Sequence, residues 1–92
     1  MIRNDTGSSR QIEFTFNAPE ARFVGVAGSF NSWDAAQAPL RKRGDGFWGT
    51  TLKLVPGRYE YRFVADGKWF TDPSAKEAVP NPYGARNSVV VV

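Results

Sequence analysis

The chain contains neither cysteine nor histidine in its 92 residues. Without cysteine there is no disulfide framework and no thiolate metal site, and without histidine the most common metal ligand and general base is missing. We therefore expect no metal and no cofactor. Glycoside hydrolysis would also need a paired carboxylate site in a cleft, and we expect no catalytic residues because the candidate acids lie in turn sequences. These acids are Asp34, Asp45, Asp66 and Asp72.

Long hydrophobic runs are also missing. The first ten residues, MIRNDTGSSR, contain no apolar segment of the kind found in secretory signals, and the run Val89–Val92 is too short to cross a bilayer. We expect a cytoplasmic protein with no membrane partner. The length is that of one domain, residues 1–92, in which residues 1–9 are predicted to form a flexible tail.

The charge of the chain is weakly basic, with 12 basic and 9 acidic residues, a net charge of +3 and a pI near 9.6. Basic residues cluster only at 41–43, which we predict to be a solvated loop. Because nucleic-acid-binding proteins usually carry a denser basic stripe, we expect no nucleic-acid partner. Single-stranded nucleic-acid binding stays open as an alternative, since exposed aromatic residues accompany the basic pI.

Short runs of alternating apolar and polar residues recur between turn residues, and no stretch shows helical periodicity. This pattern predicts an all-β sandwich of about seven antiparallel strands, a number in the immunoglobulin-like range. The second strand has apolar residues on both faces and should be central, whereas the proline-rich segment 72–86 should be a loop. Strands are predicted at 11–16, 22–27, 47–54, 58–65, 68–70 and 87–92.

The Asp-Gly pair at 66–67 predicts a β-hairpin with a two-residue type I′ turn. The resulting register pairs Val64 with Trp69. Because cross-strand partners share a face, Trp69 should lie on the outer face of the sheet, diagonal to Arg62. By the same register, Phe70 should enter the core.

The three tryptophans differ in their surroundings. Trp48 belongs to an inward-facing series of residues and is predicted to lie in the core. Trp33 and Trp69 lie in or beside turns, where large aromatics are candidates for an exposed stacking platform. Two alternatives stay open: Trp69 only covers the outer face of its hairpin, and Trp33 is a loop aromatic that folds back onto the core.

Four motifs, in this order and spacing, resemble family 48 of the carbohydrate-binding modules. The family includes the glycogen-binding domain of the AMP-activated protein kinase β subunit and the N-terminal domains of isoamylases and branching enzymes. The resemblance covers about residues 14–92 and implies an early-set immunoglobulin-like β-sandwich that binds α-1,4-linked glucans such as glycogen, starch or maltooligosaccharides. The motifs are VGVAGSFNSW at 24–33, PGRYEYRFVADGKW at 56–69, TDP at 71–73 and YGARNS at 83–88.

The resemblance also implies a set of carbohydrate-binding residues. Trp33 and Trp69 match the two stacking tryptophans of the family. Arg62 lies where the kinase-associated members carry a lysine that hydrogen-bonds sugar hydroxyls, and Asn87 matches an asparagine that bonds the same sugars. Tyr83 lies where those members carry a leucine that enters the ring of the coiled oligosaccharide.

The chemistry of a sugar ring agrees with these residue types. A pyranose has an apolar face of C–H groups and an equator of hydroxyls, so its site needs flat aromatic surface with a few fixed donors and acceptors. Arginine donates, and an asparagine amide both donates and accepts. We predict non-catalytic α-glucan binding. The alternative is a protein-interaction or regulatory domain of a larger assembly, with an enzyme or kinase subunit as partner.

Overall fold

The computed structural model describes residues 9–92, which form two antiparallel β-sheets. The prediction of a flexible tail at residues 1–9 lies, except for Ser9, outside the described residues. Two single-turn 3-10 helices occupy connections at Ala35–Gln37 and Gly44–Gly46. The strands of residues 9–92 are β1 (Arg10–Asn17), β2 (Val24–Gly28), β3 (Arg41–Lys42), β4 (Phe47–Leu54), β5 (Arg58–Ala65), β6 (Lys68–Phe70), β7 (Glu77–Pro80) and β8 (Arg86–Val91).

The sheets pack face to face, which confirms the predicted all-β sandwich. One sheet has the strand order β1-β4-β3, and the other has the order β2-β5-β8-β7. Strand β6 pairs with the end of β5 that β8 leaves free, through residues 63–65. Strand β5 is therefore the centre of the second sheet. No helix within residues 9–92 is long and apolar enough to cross a membrane.

The core consists of the inward-facing residues of both sheets. Aromatic rings join the two layers: the ring centroids of Phe16 and Phe63 are 4.7 Å apart, and those of Phe14 and Tyr61 are 5.0 Å apart. Trp48 is buried as predicted, and its indole N–H donates a hydrogen bond to the Ala18 carbonyl. The buried cluster comprises Phe14, Val24, Val26, Ala38, Leu40, Trp48, Leu54, Tyr61, Phe63 and Ala65.

Two short strands were not predicted. Strand β3 lies where a solvated loop was expected, although both of its residues are exposed. Strand β7 lies in the proline-rich segment that was predicted to be a loop. It is the outermost strand of its sheet and pairs with β8 alone, and Pro80 stands at its last position, where a missing N–H is tolerated.

Strand β2 is an end strand of its sheet, so the prediction that it is central is wrong. Its outer edge is covered by the chain near residue 39: the Val26 N–H donates to the Ala38 carbonyl, and the Leu40 N–H donates to the Val24 carbonyl. The 3-10 helix at Ala35–Gln37 packs on its outer face. This cover explains why every residue of an end strand is buried.

The hairpin between β5 and β6 has the predicted register, with Val64 opposite Trp69. Asp66 and Gly67 have φ angles of 51° and 81°, as a type I′ turn requires, and glycine takes the second of these angles without strain. The prediction that Phe70 enters the core is wrong. Its ring contacts Phe16, but no described strand lies beyond β6, and the side chain stays exposed.

Candidate functional site

An open groove of about 740 Å³ lies on the outer face of the second sheet. Four segments of the chain line it: the loop after β2, strand β5, the β5–β6 hairpin and the segment from residue 81 to the start of β8. All five residues predicted to bind carbohydrate line this one groove. Its lining residues are Trp33, Arg62, Trp69, Asn81, Pro82, Tyr83 and Asn87.

The hairpin presents Trp69 and Arg62 together. The Trp69 side chain is 45% exposed, which leaves a flat apolar surface open to solvent. Arg62 is half-buried beside it, and its Nη2 donates a hydrogen bond of 3.3 Å to the Trp69 carbonyl. The Nε of Arg62 is buried and has no hydrogen-bond partner among the described residues. A buried donor without a partner is costly, so this arrangement of Arg62 carries an energetic penalty in the free protein.

Trp33 is presented by a strained loop. Ser32 and Trp33 both have left-handed backbone conformations, with φ angles of 55° and 61°. For residues with a Cβ this region costs roughly 1–2 kcal/mol each, and such strain often accompanies a functional site. The cost is offset by Asn31, whose side chain accepts from the Gly28 N–H and donates to the Val26 carbonyl, both at 3.0 Å.

Tight packing holds the start of the same loop. A side chain at Gly28 would overlap the ring of Phe30 and the carbonyl of Glu60, so glycine permits this close approach. The Phe30 ring packs on the core near Phe14 and Tyr59. Phe30 is therefore the loop aromatic that folds back onto the core, as one alternative had predicted for Trp33. The Trp33 indole instead lines the groove.

A five-residue turn carries Tyr83. The Asn81 side-chain oxygen accepts hydrogen bonds from the N–H groups of Tyr83 and Ala85, at 2.9 and 3.1 Å. The Asn81 N–H in turn donates to the Ala85 carbonyl. Tyr83 at the tip is 89% exposed, so its ring is free to lie against a ligand.

Asn87 forms the polar floor of the groove. Only 9% of its surface is exposed, and its Nδ2 donates to the Glu60 carboxylate at 3.0 Å. Its Oδ1 accepts from Asn81 Nδ2, also at 3.0 Å. Since a primary amide has two N–H bonds and two lone pairs, one donor and one acceptor of Asn87 stay free for a ligand.

Three of the four candidate acids accept hydrogen bonds within the fold, and none of the four lines the groove. Asp34 accepts from the Ala36 N–H, and Asp66 accepts from backbone N–H groups at 22 and 23. Asp72 accepts from the Tyr61 hydroxyl at 2.6 Å. Burial and this carboxylate together raise the pKa of Tyr61 above its ordinary value. Within residues 9–92, no group of carboxylates is arranged to hold a metal ion.

Asn81 and Pro82 were missed in the sequence, although both line the groove. They lie in the proline-rich segment interpreted as a loop, and their nearest predicted site residue was Tyr83. An Asn-Pro pair immediately before an exposed aromatic is a turn signal. That signal indicates a turn but does not reveal that Asn81 reaches the Asn87 amide.

The chain was also compared with known protein families. Residues 10–92 match the family model described as the glycogen recognition site of AMP-activated protein kinase. The chain belongs to this family. The family is one of carbohydrate-binding modules, which are non-catalytic domains, so its members contribute binding rather than a reaction.

Relatives of the chain include much longer proteins. It is 42% identical over 48 residues to protein PTST homolog 2, chloroplastic, of Arabidopsis thaliana, covering 52% of this chain and 9% of that protein. It is 35% identical over 77 residues to 1,4-alpha-glucan branching enzyme GlgB 2 of Xanthomonas campestris pv. campestris (strain 8004), covering 78% of this chain and 11% of the enzyme. Protein FLOURY ENDOSPERM 6, chloroplastic, of Oryza sativa subsp. japonica is 40% identical over 64 residues, which cover 70% of this chain and 12% of that protein. The chain thus spans about a tenth of the length of these relatives.

Proposed function

We propose that the groove binds α-1,4-linked glucans, such as glycogen, starch or maltooligosaccharides, without catalysing a reaction on them. The observation that carries the proposal is the convergence of three exposed aromatic rings with Arg62 and Asn87 in one groove. The aromatic rings are those of Trp33, Trp69 and Tyr83. Membership of a glycogen-recognition family supports the same ligand class.

Stacking of sugar rings on the two tryptophans would supply the apolar part of the binding energy. The C–H face of a pyranose matches a flat indole, and the α-1,4 linkage curves the chain, so Trp33 and Trp69 would each stack on a different ring of one curved chain. The Arg62 guanidinium, which lines the groove, would donate to a sugar hydroxyl.

The expected affinity is modest. The groove is open, and the three aromatics are exposed on one side rather than enclosed. Polar-rimmed contacts of this kind give dissociation constants from micromolar to millimolar, about −4 to −8 kcal/mol. A branched glucan offers many chain ends to several domains, so binding to a polymer would be tighter than binding to one oligosaccharide.

In a longer polypeptide or an assembly, such a domain would hold an enzyme on its polymeric substrate. The branching-enzyme relatives, of which the matched region is about a tenth, fit this role because their name describes an enzyme that acts on 1,4-alpha-glucan.

We propose an early-set immunoglobulin-like topology for the sandwich, in keeping with the resemblance in the sequence.

Electrophoresis through a native gel containing glycogen tests the proposal. The wild-type chain should be retarded, and the Trp33→Ala variant should migrate nearly as in a gel without glycogen. Phe23→Ala is the matched control, because Phe23 is a comparably exposed aromatic that does not line the groove. Free migration of the wild-type chain, or equal retardation of Trp33→Ala and Phe23→Ala, would overturn the proposal.

A further inference from the structure

We propose that Asn81 and Glu60 are positioning residues that fix which end of the Asn87 amide faces the ligand as a donor and which as an acceptor. The inference rests on the proposed function, because Asn87 is one of the residues assigned to sugar binding there. It adds Glu60, which does not line the groove, and gives Asn81, which does, a role in orienting Asn87.

The three side chains form a continuous hydrogen-bonded row, of which Asn81 and Asn87 line the groove. Glu60 Oε1 accepts from Asn87 Nδ2 at 3.0 Å, and Asn87 Oδ1 accepts from Asn81 Nδ2 at 3.0 Å. Asn81 Oδ1 then accepts from the backbone N–H groups of the turn. We call this row the amide relay. All of its hydrogen bonds run in one direction, from the turn to the carboxylate.

The chemistry at both ends of the amide relay sets that direction. At one end, two backbone N–H groups can only donate, so Asn81 must turn its oxygen toward them and its nitrogen toward Asn87. At the other end, the ionised Glu60 carboxylate can only accept, so Asn87 must turn its nitrogen toward it. Both ends demand the same orientation of Asn87, and the opposite orientation would lose two hydrogen bonds.

The consequence for a ligand is specific. Asn87 is buried except for a small part of its surface, so it cannot adapt by rotating into solvent. Its remaining N–H and its remaining lone pair reach the groove at fixed places. A sugar hydroxyl can serve either place because it both donates and accepts, whereas a ring or glycosidic oxygen can only accept. Turning Asn87 over therefore disfavours a pose in which such an oxygen meets the remaining N–H.

Reversing the amide relay tests this directly. In Asn81→Asp, the carboxylate still accepts from the turn N–H groups but can no longer donate to Asn87, which then lies between two carboxylates. In Glu60→Gln alone, the new amide can still accept from Asn87. In the double variant, the carboxylate introduced by Asn81→Asp accepts from Asn87, and the amide introduced by Glu60→Gln donates to it. Every hydrogen bond is then restored with Asn87 turned over, and the net charge of the wild type is kept.

In the double variant, the melting temperature should therefore recover while the affinity for maltoheptaose does not. We expect Asn81→Asp to melt about 5 °C below the wild type, and the double variant to recover to within about 2 °C. The double variant should bind maltoheptaose about tenfold more weakly than the wild type, because Asn87 is turned over. Asn81→Asp should bind about fivefold more weakly, because Asn87 then keeps one hydrogen bond in either orientation and is no longer fixed. Glu60→Gln alone should bind within about threefold of the wild type, since one of its orientations preserves the amide relay.

Glu77→Gln is the control for charge. Glu77 pairs with Arg58, as Glu60 does, but it contacts neither Asn87 nor the groove. The Glu77→Gln variant should bind maltoheptaose with the affinity of the wild type. Recovery of affinity together with melting temperature in the double variant would show a purely structural role and overturn the inference, as would unchanged affinity in Asn81→Asp. Absence of binding by the wild-type chain would instead overturn the proposed function.

Discussion

Replacing Trp69 by alanine removes the most accessible indole of the groove and should weaken maltoheptaose binding by roughly 30- to 150-fold. A tryptophan side chain has a surface of roughly 250 Å² at most, and 45% exposure leaves about 110 Å² of it open. A sugar stacked on one face would cover about half of that area. At about 25 cal/mol per Å², this burial contributes about 1.4 kcal/mol.

Directional contact between the sugar C–H groups and the ring adds to this burial. Stacked aromatic contacts contribute about 0.5–1.5 kcal/mol beyond area, so the total is about 2 to 3 kcal/mol, which corresponds to the stated loss of affinity. The fold should survive, because Trp69 lies on the short outer strand β6 opposite Val64, and its side chain is 45% exposed.

Isothermal titration calorimetry with maltoheptaose measures the loss, and thermal unfolding verifies that the variant is folded. Phe47→Ala is the matched control, because Phe47 is 44% exposed but lies outside the groove. It should bind like the wild type. If a folded Trp69→Ala binds within about twofold of Phe47→Ala, the stacking estimate is refuted and Trp69 serves only to cover its hairpin.

Asn31→Ala should lower the free energy of unfolding by about 1–3 kcal/mol and weaken maltoheptaose binding several-fold, because it frees the loop that presents Trp33. Urea denaturation measures the first value and titration with maltoheptaose the second, and the prediction fails if both stay unchanged. Gly67→Ala should destabilise by about 1–2 kcal/mol because the φ angle of 81° disfavours a Cβ, and an unchanged urea midpoint would refute that reason. The raised pKa of Tyr61 means that the folded state holds its proton more tightly than the unfolded state, so stability should fall as the pH rises above about 10. Tyr61→Phe should flatten this loss, at a cost of about 1–2 kcal/mol near neutral pH because Asp72 Oδ2 loses its donor; an equally steep alkaline loss in the variant would count against it.

Part of this site could be predicted because a local signal determines it. The Asp-Gly turn at 66–67 requires a two-residue hairpin, and that loop length sets the pairing of Val64 with Trp69. Once the register is known, alternation places Trp69 and Arg62 on the outer face. The core position of Trp48 follows from the same alternation within β4.

The parts of the site that the sequence does not predict depend on side-chain contacts and on backbone conformations that no periodic pattern reports. The orientation of Trp33 depends on the side chain of Asn31 and on a strained backbone, and no periodic pattern reports either of them. The link from Asn81 through Asn87 to Glu60 joins three separate segments. Phe70 was misplaced for a related reason: alternation predicts its direction correctly but does not reveal that the strand lies at the edge of the sheet.

Binding isotherms for maltose to maltoheptaose, with a linear β-1,4 glucan oligosaccharide of the same length as control, test the proposed ligand class most directly. We expect saturable binding of the α-1,4 series, with affinity that rises with chain length until the groove is filled and reaches the micromolar to millimolar range. We expect no saturable binding of the β-1,4 control, because the proposal assigns Trp33 and Trp69 to the rings of a curved α-1,4 chain, and a β-1,4 chain is straight. Equal binding of both series, or no binding of either, would contradict the assignment of the groove to α-glucans.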